Sequence, residues 1–518
     1  MPDAAGTVTL DGASLDADGV HRIAVERAPI ALDPEALEAV ARNRQALDAA
    51  VARGDTIYGV TTGLGALARE RVDVVEAPAA QRDVLRSHAA GVGASLPSEV
   101  VRAAMAVRLN GLLRARSGIR PIVLEWVARL LNEDLTPRVP RTGSLGASGD
   151  LAPSAHAFLP VIGEGELAQS DGRIRTVREA LAERGLEPLE LALKEALALV
   201  NGTHFMAGAG ALLAVRVAKL LDSADAAAAL SLDALHGAPA AFEKRVHELR
   251  PLPGQVRSAE NVRALVAGSE RIGARERDVQ DAYSLRCVPQ VHGAAREAFG
   301  FFSRMITYDL NAVTDNPIVF QDPAEVISAG NFHGQSLALA FDTLRIALAD
   351  LASISERRIF RLLSPSLNAG LPAFLAPDAG RSSGYMVAQF TAAALVAELR
   401  ALAHPVSLDS IPTSDNQEDH VSMGMTGALL ALDACERVET VVAIEALCAA
   451  QGLETGPRRP GTGVARLHAL VRTRVPALGE DRSPAPDIAE VGKLISSGAF
   501  AEVLAEVLDT VGPCPDGG

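Results

Sequence analysis

Hydrophobic residues in the second half of the chain recur at the spacing of long α-helices. Between residues 337 and 351 they are separated by four, three, four and three positions, in the order Leu337, Phe341, Leu344, Leu348 and Leu351. Such a seam places one apolar stripe along a helix and is typical of helices that pack side by side. Residues 386–403 and 429–453 carry comparable patterns. The pattern therefore predicts a bundle of long helices in the centre of the chain.

The N-terminal part of the chain combines a shorter helix with an irregular segment. Asp33 and Pro34 suit the N-cap and the first position of a helix, and Gly54 suits its end. Residues 57–65 follow, and their three glycines disfavour a helix and indicate a shaped loop. Loops of this kind often carry function. The apolar positions at helical spacing between the two helix ends are Leu37, Val40, Leu47 and Val51.

Signals for β-strands are few and short. Asp171-Gly172 predicts a hairpin turn between residues 166–167 and 173–174, and Thr176 with Glu179 predicts a capped helix after it. We therefore predict a mainly α fold in three consecutive stretches. They are a mixed N-terminal region over residues 1–200, a central long-helix bundle over 201–475 and a C-terminal helical cap over 476–518, with the proline-rich residues 476–486 at the last boundary.

Composition supports a helical core and argues against several classes of partner. Of the 518 residues, 48% are hydrophobic but only 3% are aromatic, so we expect a core of Ala, Leu and Val, which favours closely packed helices. With this much apolar material, a disordered chain is a poor interpretation. The formal net charge of −15 repels nucleic-acid backbones, so no nucleic-acid partner is expected.

The N-terminal residues and the cysteines indicate a cytoplasmic protein. Residues 1–5 show no basic segment followed by an apolar run, so no signal peptide is expected. Charges such as Arg216 and Lys219 interrupt the apolar stretches before the roughly 18 residues that a membrane span needs, so no membrane partner is expected. The cysteines form no C-x-x-C pair, which is typical of unpaired thiols in a reducing compartment. They are Cys287, Cys435, Cys448 and Cys514.

The most informative segment is residues 142–153, with the sequence TGSLGASGDLAP. It is crowded with small residues around Ala147-Ser148-Gly149, and Asp150 and Pro153 suit the start of a helix. Taken alone, the segment is equally compatible with a flexible surface turn that Asp150 caps.

Residues 142–153 resemble the signature of the aromatic amino acid ammonia-lyase family. In that family the Ala-Ser-Gly segment cyclises and loses water to give 4-methylideneimidazol-5-one (MIO), an electrophile that captures the substrate amine. Here the Gly149 nitrogen would attack the Ala147 carbonyl, and Ser148 would lose its hydroxyl. The resemblance implies the long helical bundle of the ammonia-lyase/fumarase-like type. It also implies that no external cofactor and no metal is needed.

Further blocks extend the resemblance over residues 57–452, and they imply roles for individual residues. Tyr58 matches a catalytic tyrosine, and Asn201 matches the asparagine that contacts MIO and substrate. The block 280–287 supplies Gln280, a second catalytic residue in Tyr283, and Arg286, whose planar fork suits a substrate carboxylate. Singly these residues have structural alternatives, such as a packed aromatic, a helix cap or a surface ion pair. Further matching blocks are residues 330–334, which contain the substrate-binding Phe332, and residues 409–414.

Two segments of the sequence are expected to determine which substrate side chain is bound. Ser87-His88 and the block 417–420, Gln-Glu-Asp-His, resemble the histidine-acting members of the family. His88 is expected to reach an imidazole, and Glu418 is expected to hydrogen-bond a ring N–H or hold a proton. A phenyl ring would leave such a buried carboxylate without a partner. The resemblance therefore implies elimination of ammonia from L-histidine to give trans-urocanate, in a homotetramer with shared active sites.

Three alternatives stay open at this point. A tyrosine or phenylalanine ammonia-lyase shares the electrophile, and Thr61-Thr62 resembles the tyrosine-acting members. An aminomutase would return the released ammonia to the β-carbon, which depends on closure of the pocket. A catalytically silent structural relative is the third alternative.

Overall fold

A computed structural model describes residues 6–73, 76–168, 173–273 and 279–511. The chain forms two compact units, each assembled from separate stretches. The first consists of Met1–Val215, Phe302–Asp342 and Pro405–Leu429, and the second of Arg216–Phe301, Thr343–His404 and Leu430–Gly518. The three consecutive stretches of the sequence division stay a prediction.

Helices dominate the described residues, and the predicted mainly α fold of the long-helix type is confirmed. Four helices among the described residues are 23 to 31 residues long: His204–Ala234, Val288–Leu310, Gln335–Leu363 and Gly424–Leu453. The helices in chain order are α1 Ala17–Ala24, α2 Pro34–Ala52, α3 Ala77–His88, α4 Ser98–Leu113, α5 Pro121–Asn132, α6 Leu151–Phe158, α7 Val177–Glu183, α8 Glu195–Val200, α9 His204–Ala234, α10 Lys244–Glu248, α11 Pro253–Leu265, α12 Tyr283–Arg286, α13 Val288–Leu310, α14 Gln335–Leu363, α15 Met386–Leu402, α16 Gly424–Leu453, α17 Thr462–Arg472, α18 Pro484–Ser497 and α19 Ala499–Val511.

All strands among the described residues belong to the first unit and pair in twos. The first pair is parallel and the other three are antiparallel. The strands are β1 Val8–Leu10 with β2 Ile30–Leu32, β3 Val92–Ser95 with β4 Pro140–Thr142, β5 Glu166–Ala168 with β6 Ile174–Thr176, and β7 Ile318–Gln321 with β8 Ala324–Ile327. The β5–β6 pair confirms the two arms of the predicted hairpin, whereas its turn, Asp171-Gly172, lies outside the described residues.

The apolar seam and two helix starts confirm what local pattern predicts. The five seam residues from Leu337 to Leu351 lie on α14, and none is more than 1% exposed. The side chain of Asp33 accepts from the Ala36 amide at 2.9 Å, and Pro34 begins α2. Thr176 caps α7 by accepting from the Glu179 amide.

Within the part of the chain that the structure describes, two stretches are long and apolar enough on average to cross a membrane: His204–Ala234 and Met386–Leu408. About 78% of the apolar window of the first is buried within the protein, as in the core helix of a globular protein, whereas 22% of the second is buried. A cytoplasmic protein without a membrane partner stays a prediction. The thiols of Cys287, Cys435 and Cys448 are free, and Cys514 lies outside the described residues.

Candidate active site

The segment that carries Ala147-Ser148-Gly149 lies between β4 and α6 in the first unit. Its glycines adopt backbone angles that other residues rarely adopt, with φ of +65° at Gly146 and +76° at Gly149. A Cβ on Gly149 would overlap the backbone of Gly202, with which Gly149 forms a β-bridge. The Asp150 amide donates to the Gly202 carbonyl at 2.8 Å. Only glycine therefore fits at the third position of the segment.

Two N–H groups face the carbonyl oxygen of Ser148. The side-chain amide of Asn201 donates to it at 2.7 Å, and the Gly202 amide approaches it at 3.4 Å. Asn201 is held in place because it terminates α8. Its own Oδ1 is buried without a hydrogen-bond partner among the described residues. Paired donors of this kind stabilise negative charge that develops on an oxygen.

The hydroxyl of Ser148 donates to Oε1 of Glu418 at 3.1 Å, and the Thr413 hydroxyl donates to Oε2 at 2.7 Å. Glu418 closes a tight turn whose ends pair through backbone hydrogen bonds between Thr413 and Glu418. Three consecutive residues in this turn have left-handed backbone angles: Ser414 at +50°, Asp415 at +54° and Asn416 at +63°. Such strain is common at functional sites, and here it aims the carboxylate at Ser148.

Tyr58 and His88 complete the same region. The Tyr58 hydroxyl oxygen accepts from the Gly65 amide at 2.8 Å, which folds the loop of residues 57–65 back on itself. His88 ends α3, and its Nδ1 lies 2.8 Å from the Val84 carbonyl oxygen. Donation from Nδ1 to that carbonyl leaves Nε2 of His88 without a proton and able to accept a hydrogen bond.

Six of the sequence-predicted residues line one cavity of about 280 Å³, which is a suitable size for a small ligand. A wider cavity of about 550 Å³ adjoins it and shares Tyr58, Ser148, Phe332 and Glu418, with Ala147 at its wall. The predicted residues that line the smaller cavity are Tyr58, His88, Ser148, Asn201, Phe332 and Glu418.

Sequence reasoning missed Asn316, which lines both cavities. It is 8% exposed, and its side-chain oxygen accepts from the Ala329 amide at 2.7 Å. Its neighbour Asp315 forms a buried ion pair with Lys194 at 2.7 Å. The available signal was the turn sequence Asp-Asn-Pro of residues 315–317, which lies between α13 and β7.

The structure brings Gln280, Tyr283 and Arg286 together in a different pocket, in the second unit. That pocket measures about 430 Å³ and also contains Arg361. The Arg286 guanidinium lies 4.7 Å from the centre of the Tyr283 ring, which is 71% exposed. Nε of Arg286 has no hydrogen-bond partner among the described residues. None of the three residues lines either cavity beside Ser148.

Asp150, which directly follows the segment, has a fully buried carboxyl group. Burial, with a smaller contribution from nearby Asp309, raises the pKa of its carboxyl from 3.8 to about 7, although hydrogen bonds from the Met206 amide and Ser144 oppose the shift. The carboxyl accepts from the Met206 amide at 2.9 Å and from the Ser144 hydroxyl at 3.0 Å. Asp150 therefore precedes α6 as expected but makes no side-chain cap, because these donors occupy it.

The sequence of this chain is similar to the sequences of known enzymes. The sequence matches the family described as aromatic amino acid lyase over residues 15–473. It is 48% identical over 505 residues to a histidine ammonia-lyase of Anaeromyxobacter dehalogenans, covering 95% of this chain and 99% of that protein.

Two solved structures resemble the fold closely. A tyrosine aminomutase from Streptomyces globisporus superposes with a TM-score of 0.93 at 38% identity, covering 97% of this chain and 99% of the other. A histidine ammonia-lyase from Trypanosoma cruzi superposes with a TM-score of 0.90 at 39% identity, covering 97% of this chain and 96% of the other.

Proposed function

The chain belongs to the aromatic amino acid lyase family, and from this premise we propose that it is a histidine ammonia-lyase that converts L-histidine to trans-urocanate and ammonia. The observation that carries the proposal is the shared cavity of His88, Glu418, Tyr58 and Ser148. An imidazole offers two nitrogens to hydrogen-bonding partners, whereas a phenyl ring offers none. The name of the 48% identical relative supports the same substrate.

We propose that Ala147-Ser148-Gly149 forms the MIO group, and the residues fit that chemistry. Attack by the Gly149 nitrogen on the Ala147 carbonyl needs a bent backbone, and Gly149 has a φ of +76°. The Ser148 carbonyl would be retained in the ring, where Asn201 and the Gly202 amide donate to it. When formed, MIO supplies an electrophile that turns the substrate amine into a better leaving group.

The surrounding side chains supply binding and proton transfer in this proposal. His88 accepts from one ring N–H of the substrate through Nε2, and Glu418 shares a proton with the other ring nitrogen, either by accepting from its N–H or by holding the proton itself. Tyr58 lies in the same cavity and takes the β-proton as general base. Phe332 forms an apolar wall of the cavity, and Asn201 holds the carbonyl of Ser148.

The carboxylate of the substrate needs a cation, and we propose that Arg286 of another copy of the chain supplies it. Arg286, Tyr283 and Gln280 form their own pocket in the second unit, with an exposed aromatic ring and an unpartnered Nε. In a homotetramer with shared active sites, these three residues would complete the cavity beside Ser148 of a neighbour. Arg286 would bind the carboxylate and Tyr283 would contribute to catalysis.

The structural similarity to a tyrosine aminomutase favours one second candidate, an enzyme that returns ammonia to the β-carbon. Incubation of the purified protein with L-histidine, followed by chromatographic separation of the products from the substrate, mass spectrometry and an ammonia assay, distinguishes the two. Urocanate with an equal amount of ammonia supports the lyase. A β-amino acid without free ammonia supports the aminomutase, and an unchanged substrate contradicts both as histidine-acting enzymes.

A further inference from the structure

The loop that follows His88 is anchored by a histidine that sequence comparison did not single out. The Gly91 amide donates to Nε2 of His156 at 3.1 Å. Because Nε2 accepts this hydrogen bond, it carries no proton, and His156 is the neutral tautomer protonated on Nδ1. Burial lowers the pKa of His156, and the positive charge of Arg138 lowers it further, so the neutral form is favoured.

His156 lies on α6, the helix that begins directly after the Ser148 segment. The strand directly before that segment, β4, pairs with β3, which begins at Val92. A Cβ on Gly91 would stand 3.2 Å from Nε2 of His156 and 3.3 Å from Cβ of Pro140, the first residue of β4. Gly91 is therefore held between the two elements that flank the Ser148 segment.

Through Gly91, this arrangement links the position of His88 to that of the Ser148 segment. Only two residues separate His88 from Gly91, and the Ala90 amide donates to the His88 carbonyl at 2.8 Å. A displacement of Gly91 away from α6 would therefore move the end of α3 relative to Ser148. Glycine at position 91 permits the close approach, because any side chain would press on the imidazole or on Pro140.

We propose that His156 is a positioning residue, which holds His88 at the correct distance from Ser148 by accepting the Gly91 amide. The inference rests on the proposed role of His88 in binding the substrate ring. His156 itself lines neither cavity beside Ser148. Its loss should affect recognition of the ring more than formation of the electrophile.

Two substitutions at His156 separate positioning from simple packing. His156→Gln keeps a side-chain acceptor for the Gly91 amide, whereas His156→Leu keeps comparable bulk without any acceptor. In the Leu variant the ratio of kcat/KM for histidine to that for phenylalanine should fall about fivefold to tenfold, the effect of one lost hydrogen bond. The loss should lie mainly in KM, because ring contacts act on bound substrate and transition state alike. The Gln variant should stay within about threefold of wild type.

A readout that needs no activity accompanies the kinetics. Hydrogen–deuterium exchange of the peptide covering residues 89–95 should accelerate in His156→Leu and stay near wild type in His156→Gln. Gly91→Ala acts on the other end of the same bond, so its effect on the kinetic ratio should not add to that of His156→Leu. Intact mass and melting temperature report whether each variant folds and forms MIO.

Two results would overturn the proposal: an unchanged ratio and unchanged exchange in His156→Leu, or equal losses in the Gln and Leu variants. If wild type prefers another amino acid, the proposed substrate is wrong. The exchange measurement and the selectivity ratio for the preferred substrate then still test the role of His156.

Discussion

The Ser148 hydroxyl lies 3.1 Å from Oε1 of Glu418, although the two residues are 270 positions apart in sequence. The strained turn of residues 413–418 makes this approach possible, since its backbone hydrogen bonds fix the position of the carboxylate. Asn201 approaches the same serine at its carbonyl oxygen, 2.7 Å away. One residue of the electrophile segment is thus contacted on its side chain by an acid and on its backbone by an amide.

Replacement of Ser148 by alanine tests formation of the electrophile. Ser148→Ala should fold, keep the full encoded mass and lose activity by at least about a thousandfold, because covalent capture of the amine is lost. Wild-type protein should be lighter than its encoded sequence by two water molecules. The exposed Ser496→Ala serves as the control and should keep both the lower mass and the activity. An active wild-type protein at full encoded mass would refute the proposed MIO group.

Substitution of Glu418 by glutamine tests whether its charge and basicity are needed. Glu418→Gln keeps the size and an acceptor for the Thr413 hydroxyl, so turnover should fall about a hundredfold because the amide can neither hold a proton nor carry a charge at the ring nitrogen of the substrate. Asp415→Asn is the matched control, because it removes a charge in the same turn at a left-handed position that asparagine tolerates. Its turnover should stay within about threefold of wild type. Equal effects of the two substitutions would assign the loss to the turn rather than to Glu418.

Mixed oligomers test the sharing of active sites. Ser148→Ala and Arg286→Ala chains should each be inactive, and mixing them before assembly should restore up to about a quarter of wild-type activity if the residues come from different copies. Mixing Ser148→Ala with Tyr58→Phe is the control, because both residues line one cavity of the same unit. That mixture should restore nothing. Restored activity in the control, or none in the first mixture, contradicts the proposed division of residues between copies.

The carboxyl group of Asp150 predicts a specific dependence of stability on pH. Its pKa in the folded chain is raised from 3.8 to about 7 by burial. Below the unfolded pKa the carboxyl is protonated in both states and imposes no penalty. As pH rises from about 4 to about 7, the unfolded chain ionises first, so the stability contribution of the protonated form is progressively lost. Above that window the loss is constant.

Asp150→Asn cannot ionise, so its melting temperature relative to wild type should rise between pH 4 and pH 7 and level off above that range. Thermal unfolding of both proteins across this range measures the difference. The exposed Asp378→Asn serves as the control and should show a difference that does not change over the same window. A constant difference for Asp150→Asn as well would mean that Asp150 ionises in the folded protein as it does in water.

The sequence pattern was sufficient to predict those features that depend only on residues close together in the chain. The Asp33 cap and the buried face of α14 depend on spacing within one helix, and both are confirmed. Asp150 differs, because its carboxyl is occupied by the Met206 amide and the Ser144 hydroxyl instead of capping α6. The role of Asn316 in the cavity depends on contacts across the fold, which no local periodicity encodes. Resemblance to a family supplied the candidate residues, but only the structure separates the Arg286 pocket from the Ser148 cavity.

The central claim is that the unmodified protein is a lyase selective for histidine, and kcat/KM for L-histidine, L-tyrosine and L-phenylalanine tests it most directly. The cavity of His88 and Glu418 predicts that histidine exceeds both by at least about a hundredfold, because unpaired polar groups disfavour a phenyl ring. The product should be trans-urocanate, with no cofactor added. A higher kcat/KM for tyrosine or phenylalanine would contradict the assigned substrate and leave membership of the family untouched.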